Sequence, residues 1–135
     1  MDETTVRRAL MSEVKTQFSQ AVALRHEDLY TAGIPDLSIT LNGKTSWWEI
    51  KYAGPSFRIS KVQQHICARL AECGMCWYVI FQREIARKKN PRQRQIRVVP
   101  PSEIRDWQHS GSVVSDGVFN HAALVQYIHA VHERL

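Results

Sequence analysis

Apolar residues at Val6, Leu10, Val14, Phe18 and Val22 recur every fourth position, which predicts a helix from Thr5 to about Leu24. Glu13, Gln17 and Gln20 run along one edge of that stripe. A loop with Gly33 and Pro35 follows. The period then changes from four to two. Asp36 to Leu41 and Lys44 to Tyr52 alternate, and Asn42-Gly43 between them is a strong hairpin signal. Leu37, Ile39 and Leu41 take one face of the first strand, and Asp36, Ser38 and Thr40 take the other. On the second strand Trp48, Ile50 and Tyr52 oppose Trp47, Glu49 and Lys51 in the same way.

After a loop from Ala53 to Ile59, Ser60 is a good N-cap for a second helix. Val62, Ile66, Leu70 and Cys73 are its expected buried stripe, and Gly74 stops it. Cys76 to Phe81 is almost wholly apolar, as suits a central strand covered on both faces. A basic stretch leads to a short strand from Gln95 to Val99, which Pro100-Pro101 ends. Glu103 to Trp107 suggests a short helix, and Ser110 to Gly117 a loop. The last helix is expected from about Phe119 to Arg134, with Leu124, Tyr127, Ile128 and Val131 facing inward. This order predicts an α/β fold with a small mixed central sheet and flanking helices.

The totals change this picture little. A chain of 135 residues, 44% hydrophobic and without repeats, is the size of one domain spanning 1–135. No apolar stretch approaches a membrane span, so no membrane partner is expected. Met1 to Leu10 has no apolar signal region, so a cytoplasmic location is the expectation. Three cysteines, Cys67, Cys73 and Cys76, fit reduced, buried thiols; the Cys73-x-x-Cys76 pair has no second pair with which to hold zinc. Lys and Arg outnumber Asp and Glu by 18 to 13, which is consistent with a polyanion partner. Arg83, Arg87, Lys88, Lys89, Arg92, Arg94 and Arg97 concentrate that charge in one stretch. The six histidines are dispersed and form no metal pair, although His26 lies just before the hairpin.

The hairpin carries the chemistry. With Asn42 and Gly43 in the turn, Leu41 sits opposite Lys44, and counting back in step puts Asp36 opposite Glu49. Directly opposed residues share a face, with Cβ atoms roughly 4.5–5.5 Å apart. Lys51 is on that face too. Two adjacent carboxylates repel, and a divalent cation is the natural compensation. Such a site suits phosphodiester hydrolysis, in which a neighbouring lysine steadies developing charge. An isolated Asp or Glu would instead be a solvated surface charge.

Pro35-Asp36 followed by Glu49-Ile50-Lys51 resembles the motif of the PD-(D/E)xK nuclease superfamily. The longer string Gly33-Ile34-Pro35-Asp36-Leu37, Glu49-Ile50-Lys51, Arg58-Ile59-Ser60, Gln63 and Gly74 is similar to its VRR-NUC family, stand-alone forms of which occur in phages and bacteria. The resemblance covers about Gly33 to Phe81. It implies a restriction-endonuclease-like fold and a Mg²⁺- or Mn²⁺-dependent DNA endonuclease, structure-selective for branched, flapped or junction DNA and often a homodimer. Asp36, Glu49 and the Ile50 carbonyl would hold metal, and Lys51 would be the catalytic lysine. Gln63 would face the site, and Glu13 would be the acidic residue of the first helix, with Glu27 or Asp28 as alternatives. The alternative function is a nuclease-fold module that binds nucleic acid without cutting it.

Several of these residues also have plain structural roles. Ser60-x-x-Gln63 is a capping box, which would commit Gln63 to the Ser60 backbone. Trp47 would pack beneath the first helix rather than stack on a base. Arg58 and Lys61, close to the motif, and Arg87, Lys88, Lys89 and Arg92, in the basic stretch, are the candidate phosphate contacts.

Overall fold

A computed structural model describes residues 2–26, 33–54, 57–83 and 94–135. Three helices are present among them: α1 (Glu3–Gln17), α2 (Lys61–Glu72) and α3 (His121–Arg134). The strands are β1 (Val22–Arg25), β2 (Leu37–Leu41), β3 (Lys44–Ala53), β4 (Cys76–Gln82), β5 (Arg94–Val99) and β6 (Ser112–Gly117). They form one open mixed sheet in sequential order, antiparallel throughout except where β3 runs parallel to β4. The connection between β3 and β4 contains α2, the crossover that a parallel pair requires. The chain is therefore a mixed α/β protein with helices on both sides of a six-stranded sheet. No helix among the described residues is long and apolar enough to cross a membrane.

The β2–β3 hairpin has the expected register. Its pairs run from Leu41↔Lys44 to Leu37↔Trp48. Asn42 and Gly43 both have positive φ, 55° and 74°, as a two-residue turn of the primed type demands.

Alternation along the strands divides the core. One face carries Leu37, Ile39, Trp48, Ile50, Val79, Phe81, Ile96 and Val98. Val6, Leu10 and Val14 of α1 and Leu124, Val125, Ile128 and Val131 of α3 cover it. The other face carries Ala53, Cys76, Tyr78, Ile80 and Val99 under Cys67 of α2 and Ile104 and Trp107 of a 3₁₀ segment, Pro101–His109. Glu49 lies on this second face.

Three expectations need correction. α1 ends at Gln17, not near Leu24, and Val22 is half exposed on edge strand β1. Asp2 caps the helix by accepting from Thr5 N, so it also starts earlier than predicted. Val22 fits a fourth-residue stripe and an alternating strand equally well, and pairing with β2 decides the matter. Second, Ser112–Gly117 is a strand and not a loop. Its Ser, Asp and Gly content suits an edge, and it pairs with β5 through an irregularity at Ile96/Arg97. Third, α2 is turned from its predicted orientation. Cys67 is its fully buried residue, whereas Val62 is 50% exposed and Cys73 is exposed at the C-cap. The inward stripe runs through Gln63, Cys67, Leu70 and Ala71, so a polar residue occupies a position that hydrophobicity alone would not place inward.

Candidate active site

β2 stops at Leu37, one residue short of Asp36, and here side chains replace the strand ladder. Asp36 N donates to Glu49 Oε1 at 3.1 Å, and Ile50 N donates to Asp36 Oδ2 at 2.9 Å. The two carboxylates are thereby crossed over each other's backbone, side by side at the open end of the hairpin. Pro35, which has no N–H to offer β3, precedes them.

The remaining carboxylate oxygens are also engaged. Asp36 Oδ1 receives Arg7 Nη1 at 3.3 Å. Glu49 Oε2 accepts from Gln63 Nε2 and lies 3.5 Å from Lys51 Nζ. The Gln63 backbone N–H is capped by Ser60 Oγ at 3.0 Å. Ser60 thus makes its half of the capping box, while the Gln63 side chain goes to the site rather than back to the Ser60 backbone. Gly33 seats the preceding loop against the first turn of α2. Its φ is +85°, and a Cβ there would lie 2.9 Å from the Val62 backbone.

Glu49 is 1% exposed. Burial, and then the charge of Asp36, push its carboxyl up to about 9, against the opposing pull of Lys51. A carboxyl in this setting keeps its proton at neutral pH unless positive charge is added. Glu3, half-buried at the start of α1, is within electrostatic reach of Lys51, Asp36 and Arg7. Burial pushes it up as well.

The predicted residues Asp36, Glu49, Lys51 and Gln63 are brought together. Ile50 joins them by its backbone. Its N–H faces Asp36, and a strand residue directs N–H and C=O to the same side, so its carbonyl opens toward the same gap. Glu13 is not at the site. It accepts from Gln17 Nε2 and lies within electrostatic reach of His121, toward the α3 end of α1. The acid that α1 brings near the pair is Glu3, ten positions earlier. Arg7 was missed too. Spacing within α1 could have linked Glu3 and Arg7, one helical turn apart, but nothing in the sequence aims that turn at Asp36. Glu27 and Asp28 lie outside the described residues, as do Arg87, Lys88, Lys89 and Arg92.

Arg58 and Lys61 are exposed beside the N-terminus of α2, close to Gln63. Two other basic residues are tied into the fold: Arg97 donates to Ser110 O at 2.8 Å, and Arg94 lies over the Phe119 ring. Trp47 is half-buried but not beneath α1, because alternation puts it on the opposite face of the sheet. Its ring lies 4.9 Å from that of His26. His26 in turn reaches Ser38 Oγ at 2.8 Å and donates its backbone N–H to Asp36 O, so this pair flanks the site. Of the cysteines, Cys67 and Cys76 are buried and meet each other, while Cys73 is exposed; all three are free thiols. The contact between Cys67 and Cys76 lowers the first thiol and raises the second.

Two carboxylates, a carbonyl and a lysine make an open, oxygen-rich half-shell. Among the described residues no group of three His, Cys, Asp or Glu side chains forms a closed cage. A hard cation such as Mg²⁺ commonly uses one or two carboxylates and fills its other positions with water and phosphate oxygens. The donor set therefore fits such an ion. Comparison with protein-family models and with curated proteins finds no match.

Proposed function

We propose that the chain is a Mg²⁺- or Mn²⁺-dependent endonuclease that hydrolyses DNA phosphodiesters on a restriction-endonuclease-like fold of the PD-(D/E)xK, VRR-NUC type. The observation that carries this reading is the buried Glu49 set against Asp36, with Lys51 and Gln63 on the same carboxylate. Burying an ionisable carboxyl beside another acid costs stability, and a bound divalent cation would offset that cost.

Asp36, Glu49 and the Ile50 carbonyl would hold the ion. When bound, it supplies a polarised phosphoryl oxygen and a more acidic water. The chain's own residues do the rest. Gln63 and the Asp36 backbone fix both oxygens of Glu49, which locks its rotamer. Lys51 holds a positive charge and a proton donor beside the pair, where negative charge builds as phosphorus is attacked. Arg58 and Lys61, exposed on the flank of α2, contact backbone phosphates without reading sequence. A homodimer would let one such site serve each strand of a duplex.

The test is cleavage of labelled linear, flapped, four-way and single-stranded DNA with Mg²⁺ or Mn²⁺, against EDTA. Metal-dependent cutting is expected, with a preference for a branched form. Lys51→Ala is expected to fold normally and to lose at least about a hundredfold in rate, the scale of removing one charge-stabilising donor. Cutting by Lys51→Ala at the parent's rate would sink the assignment. The second reading, a module that binds nucleic acid without cutting it, draws on Arg7 and Lys51, which already place one cation on each carboxylate. DNA binding indifferent to EDTA, with no cutting of any form, would favour it.

A further inference from the structure

Arg7 has no place in the cleavage scheme above, yet its guanidinium sits on the one oxygen of the carboxylate pair where a cation could most readily enter. Asp36 Oδ2 is committed to the Ile50 N–H at 2.9 Å. Glu49 Oε1 is committed to the Asp36 N–H, and Oε2 to Gln63. That leaves Asp36 Oδ1, whose partner is Arg7 at 3.3 Å. This is longer than the roughly 2.7–2.9 Å of a strong charge-assisted hydrogen bond, so the contact is replaceable. Lys51 differs from Arg7 in one respect. It faces Glu49 Oε2 at 3.5 Å, an oxygen that Gln63 also holds, whereas Arg7 faces Asp36 Oδ1, the oxygen left over. The Arg7 side chain is 12% exposed and that of Asp36 21%, so the pair lies at the rim of the gap rather than beneath it. Glu3, one helical turn before Arg7, offers the displaced guanidinium a second carboxylate on the same helix face.

We infer that Arg7 is a built-in counter-ion that competes with the divalent cation for Asp36 Oδ1, so that loading the metal and releasing Arg7 are one exchange. Arg7 is on this account a positioning residue. It keeps the bare carboxylate pair compensated and sets the threshold concentration at which a cation enters. The inference rests on the metal site proposed above.

The two possible roles of Arg7 predict opposite signs. If Arg7 merely braces Asp36, removing it loosens the site and weakens metal binding. If it competes, removing it tightens metal binding. The measurement is Mn²⁺ binding by titration calorimetry to the full, EDTA-treated chain without DNA, for the parent, Arg7→Gln, Arg7→Lys and Asp36→Asn. Thermal unfolding of each variant checks its fold. Arg7→Gln is expected to bind Mn²⁺ roughly fivefold tighter, the factor a partly exposed ion pair contributes. Arg7→Lys is expected to fall between it and the parent, because a lysine keeps the charge but not the forked guanidinium. It carries the test should Arg7→Gln not fold. Asp36→Asn is expected to lose binding. Equal or weaker binding by both Arg7 variants, while the parent binds and Asp36→Asn does not, overturns the competition and leaves the metal site standing. No Mn²⁺ binding by the parent or the Arg7 variants, or binding that Asp36→Asn leaves intact, overturns the metal site and the competition together.

Discussion

Two buried polar side chains sit three residues apart on β3, on opposite faces of the sheet. Ser46 is 0% exposed and Glu49 is 1% exposed. Ser46 is a satisfied hub. Its Oγ accepts from Trp48 Nε1 at 2.7 Å and pairs with His132 Nε2 at 2.6 Å, which ties the last turn of α3 to the hairpin. Glu49 is equally well hydrogen-bonded but is forced against a like charge. The same strand thus buries one polar group that holds the fold together and another that strains it. Hydrogen-bond count does not separate them. Charge does: a neutral hydroxyl needs only partners, whereas a carboxyl also needs its charge balanced.

The sharpest way to break this contrast is Ser46→Ala. It leaves the Trp48 indole N–H and His132 Nε2 without their Ser46 partner, at about 1–3 kcal/mol for each buried group, or about 2–6 kcal/mol in all. Denaturant unfolding is the check, and the metal-dependent rate of the folded fraction should not change. Glu49→Gln is expected to act in the opposite direction. Without metal at pH 8 it should stabilise the chain by at least about 1–2 kcal/mol, because an amide needs no proton on burial whereas the Glu49 carboxyl, ionised when unfolded, must take one up.

The pH dependence follows from the same two regions. The folded Glu49 carboxyl holds its proton up to about 9, while an unfolded one releases it near 4.5. Its contribution is therefore fully present below pH 4.5 and is lost as pH rises toward 9. His132 slopes the other way. Burial holds it below its ordinary 6.5, against the pull of the Leu41 backbone, so its contribution is present above 6.5 and is lost on acidification. Thermal unfolding against pH should show the alkaline limb flatten in Glu49→Gln, and the advantage of that variant vanish by pH 4. An unchanged alkaline limb would mean that Glu49 is not the strained group. The smallest effect is expected at Ser60→Ala, which removes the α2 cap at Gln63 N for about 1 kcal/mol. Metal affinity should survive that change, because the Gln63 side chain and not its backbone meets Glu49.

What the sequence disclosed follows the same division between local and distant causes. The hairpin register was legible because an Asn-Gly turn and a period of two leave one solution, and that register alone aligned Asp36 with Glu49. Gln63 could be named but its role stayed open, since a cap and a site contact both use the first turn of a helix. Glu13 was misplaced because stripe-edge position on α1 says nothing about which end of the helix overlies the hairpin. Glu13 bonds Gln17, whose amide reaches Ala122 O of α3, while Glu3 and Arg7 fall near Asp36. β1 and β6 were missed because each is a short edge strand whose identity depends on its neighbour more than on its own pattern. The rotation of α2 is not legible in its apolar stripe, because the inward face includes a glutamine, Gln63, that hydrophobic periodicity leaves out.

Gly33 adds a different kind of lesson. Its missing side chain lets the loop before Asp36 lie directly on the Val62 backbone, next to Gln63. The two segments that supply the carboxylate pair's neighbours are therefore clamped together at a point that holds no functional group. A single methyl on Gly33 would work as a crowbar between them. A mutational scan scored on activity alone would mark this residue as part of the chemistry, although it can neither bind, donate nor accept anything with a side chain.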